Sequence, residues 1–298
     1  MTDRKAHLDA VAVVTIVFCC FLWGLNQVAA KAAMPEIPAL WQAAARSIGG
    51  AVLVWLWAAS RGTRLFDADG TLPGGLLAGV LFAAEFFCIF IGLQYTTASR
   101  MVVWIYIAPF VVALGMPLIS RAERLSALQS AGLVLAFAGV AWAFAEGFSQ
   151  PHGPKQWLGD ALGMLAGVLW GATTLAVRAT RLGQASAEKT LLYQLAVSAA
   201  LLLAAAVLSG APLPRKVSTL AWMALLFQVV IVTFASYLLW FWLVRHYPAT
   251  RLSSFTMLTP VFGLLLGAVL LSEPVTGRLL FALATVAAGI FIVNRKAR

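Results

Sequence analysis

Charge is what this 298-residue chain has least of. Asp, Glu, Lys and Arg make up 11% of it and hydrophobic residues 62%, where a soluble domain carries about 25% charge. A core grows too slowly with chain length to hide that much apolar surface, which excludes a soluble globular protein. Acid is scarcer than base, 11 residues against 21, for a net charge of +10. The basic residues are spread thinly over short connectors, and no basic patch carries interleaved aromatics, so nucleic acid is not an expected partner. There are only three cysteines, Cys19, Cys20 and Cys88, all inside apolar runs and without metal-binding spacing; they read as packing residues. The three histidines, His7, His152 and His246, lie at ends or connectors, so neither a nucleophile–His pair nor a metal centre is expected within the membrane. No Gly-x-x-x-x-Gly-Lys-Ser/Thr loop exists, which argues against ATP as the energy source. No metal and no cofactor is expected.

What the chain has in abundance is long apolar runs, such as DAVAVVTIVFCCFLWGL and LLYQLAVSAALLLAAAVL. A helix needs about 20 such residues to cross the hydrocarbon of a bilayer. The pattern predicts an all-α polytopic membrane protein with ten transmembrane helices, over 8–31, 39–59, 74–97, 99–119, 127–145, 159–180, 187–209, 218–246, 250–272 and 275–294. Connectors carry the breakers Pro35, Pro38, Pro73, Pro154 and Pro214, and Ser126 and Thr276 read as N-caps. The first span is longer than the apolar core of a signal peptide, and it is expected to stay. With cytoplasmic termini, fourteen basic residues fall in inner segments and six in outer loops, Arg46 being left within a span; this bias predicts both termini in the cytoplasm.

The two halves repeat each other. FLWGLNQVAAK (21–31) matches VLWGATTLAVR (168–178), closing on Lys31 and Arg178. Trp41-Gln42 matches Tyr193-Gln194; ASRMVVWIYIAP (98–109) matches ATRLSSFTMLTP (249–260); Glu123 matches Glu273, and Gly139 matches Gly289. Residues 1–146 and 147–298 thus read as five-helix repeats. An odd number of helices per repeat inverts the second half, the design that lets two similar halves exchange conformations around a midplane site. The same features resemble the drug/metabolite transporter superfamily, EamA type, over nearly the whole chain, and are similar to the YddG-type aromatic amino-acid exporters. The resemblance implies ten helices, cytoplasmic termini, residence in a bacterial inner membrane, and export of small metabolites without a covalent cofactor. It points to amino acids, aromatic ones preferred. Other hydrophobic metabolites or drugs are the neighbouring alternative; a channel or a membrane enzyme is the alternative from another class.

Two charges fall inside spans: Glu85 in LFAAEFFCIF and Arg46 in WQAAARSIGG. Charge at that depth faces the bundle interior or a wet cavity. Three readings stand open: an Arg46–Glu85 ion pair, contact with the carboxylate or ammonium of an amino acid, or proton exchange at Glu85. The candidate substrate-binding set is Trp23, Asn26, Gln42, Arg46, Glu85, Trp104, Tyr106, Trp170, Tyr237 and Thr256. Its aromatics are suited to stacking a planar ligand, and its uncharged polar groups point inward because lipid cannot satisfy them. Helix-to-helix hydrogen bonding is the plainer role for the latter. Trp55, Trp57, Trp157, Trp222 and Trp242 read as lipid-facing or interfacial. Pro109 and Pro260 interrupt the backbone ladder and are candidate hinges. Gly132, Ala136 and Gly139, with Ala282, Ala288 and Gly289, form small-residue stripes that would join either the two halves or two copies in a homodimer.

Overall fold

The computed structural model describes residues 5, 7–148, 153–270 and 277–295, and among them no strand occurs. The helices are α1 (Ala10–Ala33), α2 (Ala39–Ser60), α3 (Leu72–Gly92), α4 (Ala98–Ile105), α5 (Ala108–Ile119), α6 (Ala127–Ala143), α7 (Gln156–Ala179) and α8 (Ala187–Leu208). Then α9 (Thr219–Leu226) runs through a π-helix (Phe227–Ser236) into α10 (Tyr237–His246), followed by α11 (Ala249–Phe255), α12 (Leu258–Leu270) and α13 (Gly277–Asn294). Among the described residues, seven stretches are long and apolar enough to cross a membrane, the longest being Thr219–His246; Ala127–Ala143 and Leu280–Asn294 are shorter apolar helices. The protein is a multi-pass helical membrane protein.

Local chemistry accounts for the boundaries. Ser126 and Gln129 form a reciprocal capping box at the start of α6, which satisfies two of the amides a helix leaves free. Ser186 and Ser218 cap α8 and α9 in the same way, accepting from Lys189 and Ala221. Gly62 and Gly210 follow the ends of α2 and α8 with φ of 65° and 67°, the left-handed geometry that glycine adopts without penalty. The second expected cap, Thr276, and Glu273 lie outside the described residues.

The two prolines act differently from the mid-helix kinks expected. Pro109 is the second residue of α5 and Pro260 the third of α12; the breaks come earlier, at Tyr106–Ile107 and Thr256–Met257. A proline ring clashes with the carbonyl four residues back, here Ile105 and Thr256. The chain answers with tighter i→i+3 bonds, from Ile107 to Trp104 (3.3 Å), Phe110 to Ile107 (2.9 Å) and Thr259 to Thr256 (2.9 Å).

Helices in lipid gain little from apolar burial as such, so close approach matters more. Along α7, Gly159, Gly163, Gly167 and Gly171 lie four residues apart; Gly159 meets Thr96 and the Gly92 carbonyl at the end of α3, and the other three face α4, α5 and the turn between them. A Cβ at Gly167 would stand 2.7 Å from the Ile105 carbonyl oxygen, and one at Gly171 2.5 Å from the Val111 Cβ. The α6 stripe meets α13 within this chain: Gly139 lies against Thr285 and Val286, and Gly132 against Ile292 and the Gly289 carbonyl. Ala288 points outward and takes no part. The five tryptophans expected on the outside are all exposed, and Cys19, Cys20 and Cys88 are buried.

Candidate functional site

Arg46 is placed by α2, which crosses the π-helix. Its Nε donates to Thr233 Oγ1 (3.3 Å) and a terminal nitrogen donates to the Tyr237 hydroxyl (3.0 Å). Its guanidinium lies 4.9 Å from the Phe86 ring centroid, a favourable cation–π placement. The residue is buried, yet all its partners are neutral. Glu85, next to Phe86 on α3, is also buried, and its Oε2 has no hydrogen-bond partner among the described residues. Arg46 and Glu85 do not form an ion pair, one of the three readings left open by the sequence. Arg46 binds the hydroxyls of Thr233 and Tyr237 instead, and Glu85 Oε2 is left without a partner among the described residues.

Around them stands an aromatic wall. The Trp23 indole donates to Ser236 Oγ (2.8 Å) and meets Tyr237 and Trp240 edge-on at 6.3 and 5.7 Å. Phe82 sits edge-on to both Tyr237 (6.1 Å) and Phe86 (4.9 Å). A narrow gap lies here, lined by Arg46, Ser47, Phe82, Phe86 and Thr233 among others. It leaves no room for even a single water-sized sphere, so the site is closed down in this conformation. Tyr106 and Trp170 form a second edge-on pair (5.6 Å).

The remaining expected residues are placed apart from this cluster or are satisfied locally. Gln42, one turn from Arg46, donates to the Ile37 carbonyl (2.8 Å) and accepts from Gln228 (3.1 Å). Asn26 is on α1 beyond Trp23, and its Oδ1 has no partner among the described residues. Trp104 packs edge-on to Phe148 (6.0 Å), close to Arg100 rather than Arg46. Thr256 donates back to the Ser253 carbonyl (2.7 Å), which leaves it no free donor for a ligand. Sequence reasoning passed over Thr233 and Phe82. Ser236, 151 residues after Glu85, falls on its counterpart in the repeat, which was the available signal.

The π-helix makes this registry possible. Gln228, Thr233 and Tyr237 reach Gln42, Arg46 and Arg46 again. Residues five apart in an α-helix point about 140° away from each other; the wider π turn brings Gln228 and Thr233 onto one side.

A second charged set was visible in the sequence only as helix ends. Arg178, closing α7, forms a fully buried ion pair with Glu123 in the turn before α6. Arg178 also donates to the Val244 carbonyl (2.8 Å) and the Tyr247 carbonyl (3.3 Å), and Glu123 accepts from the Thr250 amide (3.1 Å). Four segments are tied at one point.

A buried Arg and a buried Glu thus lie in an aromatic cage inside a bundle of apolar helices. The chain belongs to the EamA-like transporter family, whose profile matches residues 10–145 and again 157–295. It is 28% identical over 95% of its length to the uncharacterized transporter YvbV of Bacillus subtilis (strain 168), covering 91% of that protein. It is 22% identical over 93% of its length to the uncharacterized transporter YoaV of the same organism, covering 94% of it. A solved crystal structure shares the fold at a TM-score of 0.81 and 18% identity, over 95% of this chain and 98% of that one.

Proposed function

We propose that this transporter exports amino acids, aromatic ones preferentially, across a bacterial inner membrane by alternating access, with ten spans in two inverted five-helix halves and both termini cytoplasmic. The observation that carries the substrate class is the Arg46–Glu85 cluster. A guanidinium held only by hydroxyls and a carboxylate whose Oε2 has no partner among the described residues are the complement of a zwitterion's carboxylate and ammonium. The edges of Trp23, Phe82, Phe86 and Tyr237 offer a planar side chain its contacts.

The packing map supports the inverted halves. If the two parts of each broken span count as one, exchanging the first five spans for the last five carries most neighbour pairs onto other neighbour pairs. The α3–α7 contact maps onto α1 with α9–α10, α1–α12 maps onto α7 with α4–α5, and α2–α8 and α6–α13 map onto themselves. At the α2–α8 crossing, Ser198 donates to Ser47 (3.0 Å), the residue next to its repeat equivalent Arg46. Pro109 and Pro260 stand at equivalent breaks, in keeping with a hinge at each.

Proteoliposomes preloaded with labelled tryptophan and challenged with alanine, glutamate or a lipophilic cation test the reading. Tryptophan is expected to exchange, with alanine a weaker competitor than unlabelled tryptophan, and Arg46→Gln is expected to lower the rate at least tenfold. No movement of tryptophan would refute the substrate class. Competition by the lipophilic cation, with Arg46→Gln fully active, would shift the assignment to hydrophobic metabolites or drugs.

A further inference from the structure

Corresponding polar sets stand at the two ends of the bundle: Thr96 and Arg100 lie 151 positions before Tyr247 and Arg251, and Asp9 lies one helical turn before the α1 position that matches Asp160 when the two helices are aligned on the repeated Trp-Gly. At the first end they form one cluster. Asp160 Oδ1 accepts from Thr96 Oγ1 (2.7 Å) and from Arg100 Nε (3.0 Å), while Arg100 pairs with the other carboxylate oxygen. Arg100 and Asp160 are 13% and 14% exposed, so the fork is largely shielded from solvent.

At the other end the same parts are present, but one has been exchanged. Asp9 accepts from the Tyr247 hydroxyl (3.0 Å to each oxygen), as Asp160 does from Thr96. Arg251 is absent from the cluster. Lys5 occupies its place on Asp9 (2.5 Å), and Arg251 instead meets His7 Nδ1 at 2.6 Å. Asp9 is 38% exposed. The backbone follows the same asymmetry: α4 lies along the glycine ladder of α7, whereas its counterpart α11 barely touches α1. Counting from the repeated Trp-Gly, the positions of Gly159, Gly163 and Gly167 are filled on α1 by Ala12, Ile16 and Cys20, so α11 stands further off at that end.

We propose that Asp9 and Arg251 are the second of two equivalent latches. The Arg100–Asp160 latch is closed and the Asp9–Arg251 latch open in this conformation, and the two close in turn as access alternates. Closing the second requires α11 to move toward α1 and Arg251 to replace Lys5 on Asp9. This rests on the inverted-halves reading above, but not on the identity of the substrate.

The test uses the full chain in liposomes, with Asp9→Cys and Arg251→Cys introduced together and Cys19, Cys20 and Cys88 changed to Ala. The rate at which a short bifunctional thiol reagent joins positions 9 and 251 is read by mass spectrometry. It is compared with the first latch intact and with it weakened by Arg100→Gln or, as a milder change, Thr96→Val. Weakening the first latch is expected to speed joining at the second at least fivefold; equal rates in all three backgrounds overturn the proposal. Tryptophan counterflow by the native chain is measured in parallel. Counterflow with equal joining rates removes the latch and leaves the transport reading standing. Accelerated joining without counterflow keeps the latch and removes only the substrate.

Discussion

Glu123 and Arg178 show how much one residue carries when charge is out of water. Both are buried, and each also holds backbone groups of other segments. Glu123→Ala would leave the guanidinium uncompensated, a change that costs about 3–5 kcal/mol in buried pairs. The expected outcome is a clear loss of melting temperature in detergent, followed by size-exclusion profiles of heated samples, with a smaller loss for Glu123→Gln. Trp23→Phe should be milder, since it removes one hydrogen bond worth about 1 kcal/mol while Ser236 keeps its bond to the Val232 carbonyl (2.6 Å); tryptophan affinity should fall a few-fold. Residues were unequally legible beforehand. Arg46 and Glu85 stand out because charge inside an apolar run has no cheap explanation. Thr233 and Ser236 do not, because a hydroxyl in a helix satisfies itself on the preceding turn and so signals nothing. Arg178 and Glu123 sit at helix ends, where charge is ordinary, and only the fold brings them together.

Among elements, the α7 ladder is the sharpest case of packing set by what is missing from side chains. A methyl at Gly167 would meet Ile105 and Trp104 carbonyl oxygens at 2.7 and 2.8 Å and Ile107 Cγ1 at 2.7 Å. Backbone cannot yield as a flexible side chain can, so Gly167→Ala should force α4 and α5 away from α7, at about 1–3 kcal/mol for an overpacked contact. Thermal stability is the measurement, and a change no larger than that of an exposed α7 variant such as Leu165→Ala would contradict the account. The existence of most helices was readable from apolar length alone. The breaks before Pro109 and Pro260 were displaced by about one turn, since the clash falls on the residue four earlier. The π-helix was not readable at all, because hydrophobic periodicity does not reveal which carbonyl each amide chooses.

Taken whole, the molecule is fastened at its ends by polar ties as well as by packed helices. Glu36 accepts from the Ser218 amide (2.5 Å) and hydroxyl (2.8 Å), and Asp69 accepts from the buried Lys189 (2.8 Å) and from Thr71 (2.6 Å). The Ser218 amide holds the Glu36 carboxyl below its ordinary value, and Lys189, then Thr71, do the same for Asp69. A carboxyl depressed in the folded state stabilises fully above its unfolded pKa, about 4 for these groups, and loses that contribution as pH falls below it. Stability in detergent should therefore be level from about pH 8 to 5 and decline below about 4. Asp69→Asn should flatten the acid limb; an unchanged limb would show that other groups govern it. The two-part plan proposed above is drawn first from the repeated motifs, because matching halves leave matching words. The unequal ends were not legible there, since Arg100 and Arg251 look alike in sequence and differ only in what they touch.

The π-helix has a last consequence, which concerns chain length rather than any side chain. Gln228, Thr233 and Tyr237 reach Gln42 and Arg46 because this stretch holds more residues per turn than its neighbours. Removing a single lipid-facing residue there, such as Ile231, would keep the composition and apolar character of the span almost intact while rotating everything beyond it. The grip on Arg46 is thus recorded in the count of residues between Gln228 and Tyr237. A relative one residue shorter in that stretch would be expected to hold its arginine differently, or to have none to hold.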